Sequence, residues 1–202
     1  MMSDSNKASR GRPKTLDRDH IVDVALNAYW KQGIGNVSIN EVCKKSKTSK
    51  PGFYREFGGE DGLMKAVLIE YQQKVLSSML EIVREDRPFQ ESLASLVAFV
   101  IPEPDVKATS KGCLFVKMRE GHREVGKETR RQIGHSQKEV LMAYEDWVER
   151  SKAKGEFSAT MSSAFAAIYI DAQLSNAFSQ LTRGEDGQVI KSILLVAFSM
   201  LG

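Results

Sequence analysis

Apolar residues along the chain recur at intervals of three and four, and no stretch shows the two-residue alternation of a half-buried strand. Helices are therefore predicted throughout. Ile21, Val24, Ala25 and Ala28 form a one-sided stripe behind Asp17, a capping residue type, with Asp19 in the opening turn and Gly33 as the stop. Ser38-Ile39-Asn40-Glu41 then has capping-box spacing, in which the serine accepts from the Glu41 amide and the glutamate reaches back to the serine amide. That second helix must end before Lys50-Pro51, because proline suits the first turn of a new helix, where its missing N–H is not needed. Ser49 caps this third helix, which carries Phe53, Tyr54 and Phe57 before Gly58-Gly59 ends it. Residues 17–58 read as three short helices, the second and third joined by a turn of about four residues, the spacing of a helix-turn-helix unit.

Past Gly59 the stripes lengthen. Met64, Val67, Leu68, Tyr71, Val75, Met79 and Ile82 span about six turns, and Pro88 opens another helix that runs to Ile101. Pro102-Glu103-Pro104 begins a loop lasting to Ser110. A short helix is expected over 112–122 and a long one ends near Gly155, with Ile133, Val140, Leu141, Tyr144, Trp147 and Val148 on one stripe. Two more are expected over 160–183 and 186–201. The prediction is an all-α fold of about nine helices in three parts: a disordered basic arm (1–15), a helix-turn-helix domain (16–60) and a helical effector-binding and dimerisation domain (61–202).

Charge sharpens this division. The 202-residue chain carries a formal charge of +3, but the first 60 residues hold eleven Lys/Arg against seven Asp/Glu, net +4, and the remainder is net −1. A small cationic headpiece on a neutral body is the distribution of a protein that meets a polyanion. The longest apolar runs, 164–170 and 193–198, fall short of the ~20 residues of a membrane helix. The polar N-terminus lacks the apolar segment of a signal peptide, so the cytoplasm is the expected location. Cys43 and Cys113 lie too far apart for a CxxC pair, and neither structural zinc nor another metal or cofactor is expected.

The run Ser49-Lys50-Pro51-Gly52-Phe53-Tyr54-Arg55-Glu56-Phe57-Gly58, followed by Gly62-Leu63, resembles the DNA-binding end of the TetR family of bacterial one-component repressors, and the likeness covers residues 10–71. The remaining two thirds match only in general build. The resemblance implies a dimer that grips a pseudo-palindromic operator and releases it when a small-molecule effector binds. It also implies that Tyr54 donates its hydroxyl to a phosphate.

Physical reasoning assigns the neighbouring roles. Phe53 and Phe57, four apart, face inward, leaving Lys50, Pro51, Tyr54 and Arg55 outward. Lys50 or Arg55 can contact guanine O6/N7, and Pro51 a thymine methyl. Ser38, Asn40, Thr48 and Ser49 sit at helix starts, whose free amides suit phosphate contact. Arg10, Arg12 and Lys14 resemble the arms that follow an adjacent minor groove in some family members. Two residues depart from the family pattern. Lys47 stands where glycine is usual in the turn, at a cost of about 1 kcal/mol if a left-handed backbone is kept. Glu60 stands where a phosphate-binding lysine is usual.

In the body, Phe115, Met118, His122, Tyr144, Trp147, Phe165 and Tyr169 mix apolar area with polar tips and are the candidate effector lining; plain core residues would look the same. Phe165, Ile168, Leu174, Phe178 and Leu181, with Ile190, Ile193, Leu194, Ala197 and Leu201, form C-terminal stripes expected to build a four-helix homodimer interface. Cys113 is expected to be buried and inert rather than a redox or electrophile sensor. GxSxG, HExxH and phosphate-loop patterns are absent from the sequence, so an enzyme is not expected. The competing readings are an all-α small-molecule-binding protein or enzyme with a vestigial headpiece, and a helical adaptor whose basic face meets an acidic protein.

Overall fold

A computed structural model describes residues 16–101, 112–121 and 123–201. Their regular structure is helical: α1 (Arg18–Gln32), α2 (Ile39–Ser46), α3 (Lys50–Phe57), α4 (Glu60–Tyr71), α5 (Ser77–Arg84), α6 (Phe89–Val100), α7 (Leu114–Glu120), α8 (Lys127–Ala153), α9 (Ser163–Arg183) and α10 (Gly187–Phe198). A π-helical turn, Gln72–Leu76, joins α4 and α5 into one rod, so the described residues form nine α-helical rods, the number expected, with a short 3-10 helix, Ile34–Asn36, between α1 and α2. The expected arm and the 102–111 loop lie outside the described residues.

Local chemistry sets most boundaries. Asp17 accepts the His20 amide at 3.0 Å to start α1, and Gly33 (φ 89°) ends it. Ser38 accepts from the Glu41 amide at 3.2 Å, but the reciprocal half of the capping box does not form. The Glu41 carboxylate instead meets Lys45 at 2.6 Å and Gln32 at 3.2 Å, because the C-terminus of α1 brings a donor within its reach.

Helix α1 packs on α2 and α4, α4 on α8, and α8 along α9 and α5, while α10 lies on α9. The division expected at residue 60/61 falls at the first turn of α4, and one hydrophobic core runs from Ile21 and Phe53 to Trp147 and Ile170. Headpiece and body are thus continuous through α4. At the far end, Phe89 stacks on Trp147 (ring centroids 4.5 Å apart, 21° between planes) and meets Phe157 edge-on at 5.0 Å. Such aromatic pairs add about 0.5–1.5 kcal/mol each beyond their buried area.

Candidate DNA-binding interface and effector cavity

The third helix is held from beneath. Phe53 is fully buried and Phe57 nearly so, with ring centroids 5.3 Å apart. Arg18 closes over this pair, its guanidinium 5.7 Å from the Phe57 ring centroid and 3.3 Å from Glu56 Oε1. Ser49 accepts from the Gly52 amide at 3.2 Å to cap α3, and Gly58 (φ 71°) donates to the Tyr54 carbonyl at 2.9 Å to end it. Lys50, Pro51, Tyr54 and Arg55 are left exposed, with Tyr54 51% accessible. A helix of eight residues with two cations and a phenol outward suits the major groove, about 12 Å wide.

Around it, α2 packs on α3 and presents Asn40 and the Ser38 hydroxyl at its exposed start. The hydroxyls of Ser38 and Ser49 serve as cap acceptors but keep a hydrogen to donate to a phosphate. Thr48 is half-buried, and its hydroxyl donates to the Ser46 carbonyl at 3.4 Å. Lys47 keeps the left-handed geometry of the turn (φ 54°, ψ 35°), with the Thr48 amide returning to the Cys43 carbonyl at 2.9 Å. The turn therefore does not adjust to its lysine. Arg10, Arg12 and Lys14 lie outside the described residues.

Between α5, α7, α8 and α9 lies a cavity of about 20 Å³, room for one water molecule. Phe115 and Tyr144 line it with Met79, Cys113, Asp171 and Leu174. The other described effector candidates do not line it. Met118 is fully buried outside the lining, and Trp147 is committed to its stack on Phe89. Phe165 is 57% exposed on α9, and half-buried Tyr169 beside it donates to the Ala197 carbonyl at 2.8 Å. These four lie outside this cavity because the sequence gives the apolar stripe of a helix but not which neighbour fills it. His122 lies outside the described residues. Asp171 and Ser175 could not be found from apolar periodicity at all, yet they form the cavity's polar edge. There Arg119 pairs with Asp171 at 3.1 Å, and Gln137 donates to the same carboxylate at 2.9 Å.

Burial pushes the Tyr144 hydroxyl far above the usual phenol range, with Asp171 and Cys113 adding to the effect, so it remains a donor. Its acceptor among the described residues is the Met79 sulfur at 3.7 Å, a weak one. Burial likewise raises the Cys113 thiol, although the Tyr71 hydroxyl 3.3 Å away works in the opposite direction. A fully enclosed thiol held protonated is unreactive.

On the C-terminal helices, Phe165, Ile168 and Ile193 are exposed, Ala197 and Leu181 half-buried, and Phe178 lines the cavity. Leu174, Ile190, Leu194 and Leu201 are each 2% accessible or less, so they belong to the protomer's own core and not to its surface. Of the expected α10 set Ile193 does face outward, on a stripe with Val189 and Val196 that Met200 continues beyond the helix end. Spacing of 4, 3 and 4 could have found this stripe. The adjacent residues Ile190, Leu194 and Leu201 follow the same helical period and turn inward.

Residues 21–67 match the family of bacterial regulatory proteins described as tetR. The chain is 30% identical over 111 residues to the HTH-type transcriptional repressor ComR of Escherichia coli K12, an alignment spanning 54% of this chain and 53% of ComR. It is 25% identical over 196 residues to the repressor BdcR of the same organism, covering 94% of this chain and 98% of that one. In structure it resembles reduced NemR of E. coli (TM-score 0.79, 14% identity, 92% and 97% of the two chains). It also resembles a cysteine mutant of the TetR-family regulator CifR complexed with 26-bp operator DNA (TM-score 0.79, 18% identity, 95% and 100%). With a pinned and capped recognition helix, residues 21–67 carry the DNA-binding headpiece of the tetR family of bacterial regulatory proteins, on an all-α body with the build of the solved structures it resembles.

Proposed function

We propose that the protein is a transcriptional repressor that grips a pseudo-palindromic operator as a homodimer and releases it when a small molecule enters the body. The observation that carries this reading is α3, whose Lys50, Pro51, Tyr54 and Arg55 stand exposed over the buried phenyl rings of Phe53 and Phe57. In the complex, Lys50 and Arg55 read base edges, Tyr54 and the α2 start hold phosphates, and the arm residues Arg10, Arg12 and Lys14 follow the minor groove. A two-fold axis through the exposed α9 and α10 faces covers Phe165, Ile168, Val189, Ile193, Val196 and Met200, and repeats α3 once per half-site.

The effector in this reading is small, mostly apolar and carries one hydrogen-bond acceptor. The cavity wall is apolar except at Asp171, Ser175 and the under-used Tyr144 donor. Drug-sized ligands occupy about 300–1,000 Å³, so binding requires the walls to part, which is the motion that would shift the headpieces. A gel-shift series on genomic fragments tests the function. Specific retention with log K falling steeply against log salt is expected. Failure to retain any fragment above background would refute it and favour a ligand-binding protein with a vestigial headpiece.

A further inference from the structure

Helix α8 starts without a cap of its own. Its first amides have no intrahelical partners, and the residue at the capping position, Gly126, has no side chain to offer. The partner comes from another helix, since the carboxylate of Asp61 in the first turn of α4 accepts from the Glu128 amide at 2.9 Å, the Thr129 amide at 3.0 Å and the Thr129 hydroxyl at 2.6 Å. That hydroxyl also lies 3.0 Å from the Asp61 carbonyl, and Thr129 is fully buried. Gly126 is required by space rather than by backbone angle: a Cβ there would lie 2.2 Å from Asp61 Cγ. One turn on, Lys65 pairs with Glu128 at 3.1 Å.

On its other side, the first turn of α4 sits flush against the end of α3. A Cβ on Gly62 would come within 1.8 Å of the Phe57 carbonyl oxygen. At its other contacts α8 packs along α9, which carries the exposed Phe165 and Ile168. A continuous rigid path therefore runs from the recognition helix, through Asp61, to the helices that would face a partner copy.

We infer that Asp61 is a positioning residue for operator recognition: by capping α8 it fixes the bearing of α3 relative to the dimer axis. This rests on the dimeric operator reading above. Electrostatics alone gives the opposite expectation, because removing an acid beside a polyanion should tighten binding. Positioning requires that the same change weaken binding at the natural half-site spacing.

The test uses an operator recovered by selection with the full-length wild-type protein, together with versions carrying one or two base pairs added or removed between the half-sites. Asp61→Asn, Asp61→Ala and Gly126→Ala are compared, each checked for helicity and dimer mass. Gly126→Ala displaces the carboxylate while leaving every headpiece side chain in place. The expected result is loss of about tenfold or more in affinity at natural spacing, the size of a lost set of charge-assisted hydrogen bonds, with the preference for that spacing flattened. Tighter binding by Asp61→Asn, or an equal loss at every spacing, would overturn the positioning role. If the wild type itself shows no spacing preference, the dimeric operator reading fails, and the role built on it fails too.

Discussion

At the scale of single residues, Lys47 holds a backbone state that its side chain would not choose. Lys47 occupies left-handed space, where a residue with a Cβ is strained by about 1–2 kcal/mol relative to its usual conformation. Lys47→Gly should therefore stabilise the fold by about 1 kcal/mol at most, once the extra backbone entropy of glycine is offset, and so raise the urea midpoint. A lowered midpoint would mean the turn is not strained. Cys113 and Asp61 shape opposite ends of the pH profile. The Cys113 thiol is raised by burial, so above the ordinary thiol range, about 8.5, the unfolded chain sheds a proton that the native state keeps, and stability falls as pH rises. For Asp61, desolvation raises the carboxyl, but the Thr129 hydroxyl and the Thr129 and Glu128 amides outweigh it and hold it low. Its stabilisation is present above about pH 3.9 and lost as pH falls further. Denaturation midpoints across pH should follow both slopes for the wild type, with the acid-side slope reduced in Asp61→Asn.

At the scale of elements, α3 and α10 each offer one face to the core and another outward. Arg55→Ala should cost about 1–3 kcal/mol in operator binding, and Tyr54→Phe should remove one phosphate contact. Both proteins should keep the wild-type dimer mass, and dissociation of either would break the proposed division between headpiece and interface. For α10, Val196→Glu places a charge on the outward stripe and should yield monomers by sedimentation velocity without loss of helicity. Leu195→Glu is the control. Leu195 is also exposed, but it lies beside Leu93 and Val97 of α6 and not on the Val189, Ile193 stripe, so the dimer should survive.

At the scale of the whole molecule, α1, the α4–α5 rod, α8, α9 and α10 were legible from the period of their apolar residues, and α2 and α3, like the start of α1, from their caps, because Asp17, Ser38, Ser49 and Gly58 act within a few residues of themselves. The recognition surface followed for the same reason: on a two-turn helix, fixing Phe53 and Phe57 inward leaves only one face outward. The body was less legible. Trp147 and Leu194 belong to correct stripes, yet the stripe does not say whether its neighbour is another helix, a cavity or a second copy. The Arg119–Asp171 pair and the seat of Asp61 on α8 join residues far apart in the chain and leave no periodic trace. The sequence by itself determined the helices, their order and the outward chemistry of α3, since those depend on interactions of short range. Only the tertiary structure decided which polar groups meet across helices and which apolar faces remain open, since those depend on how the rods pack.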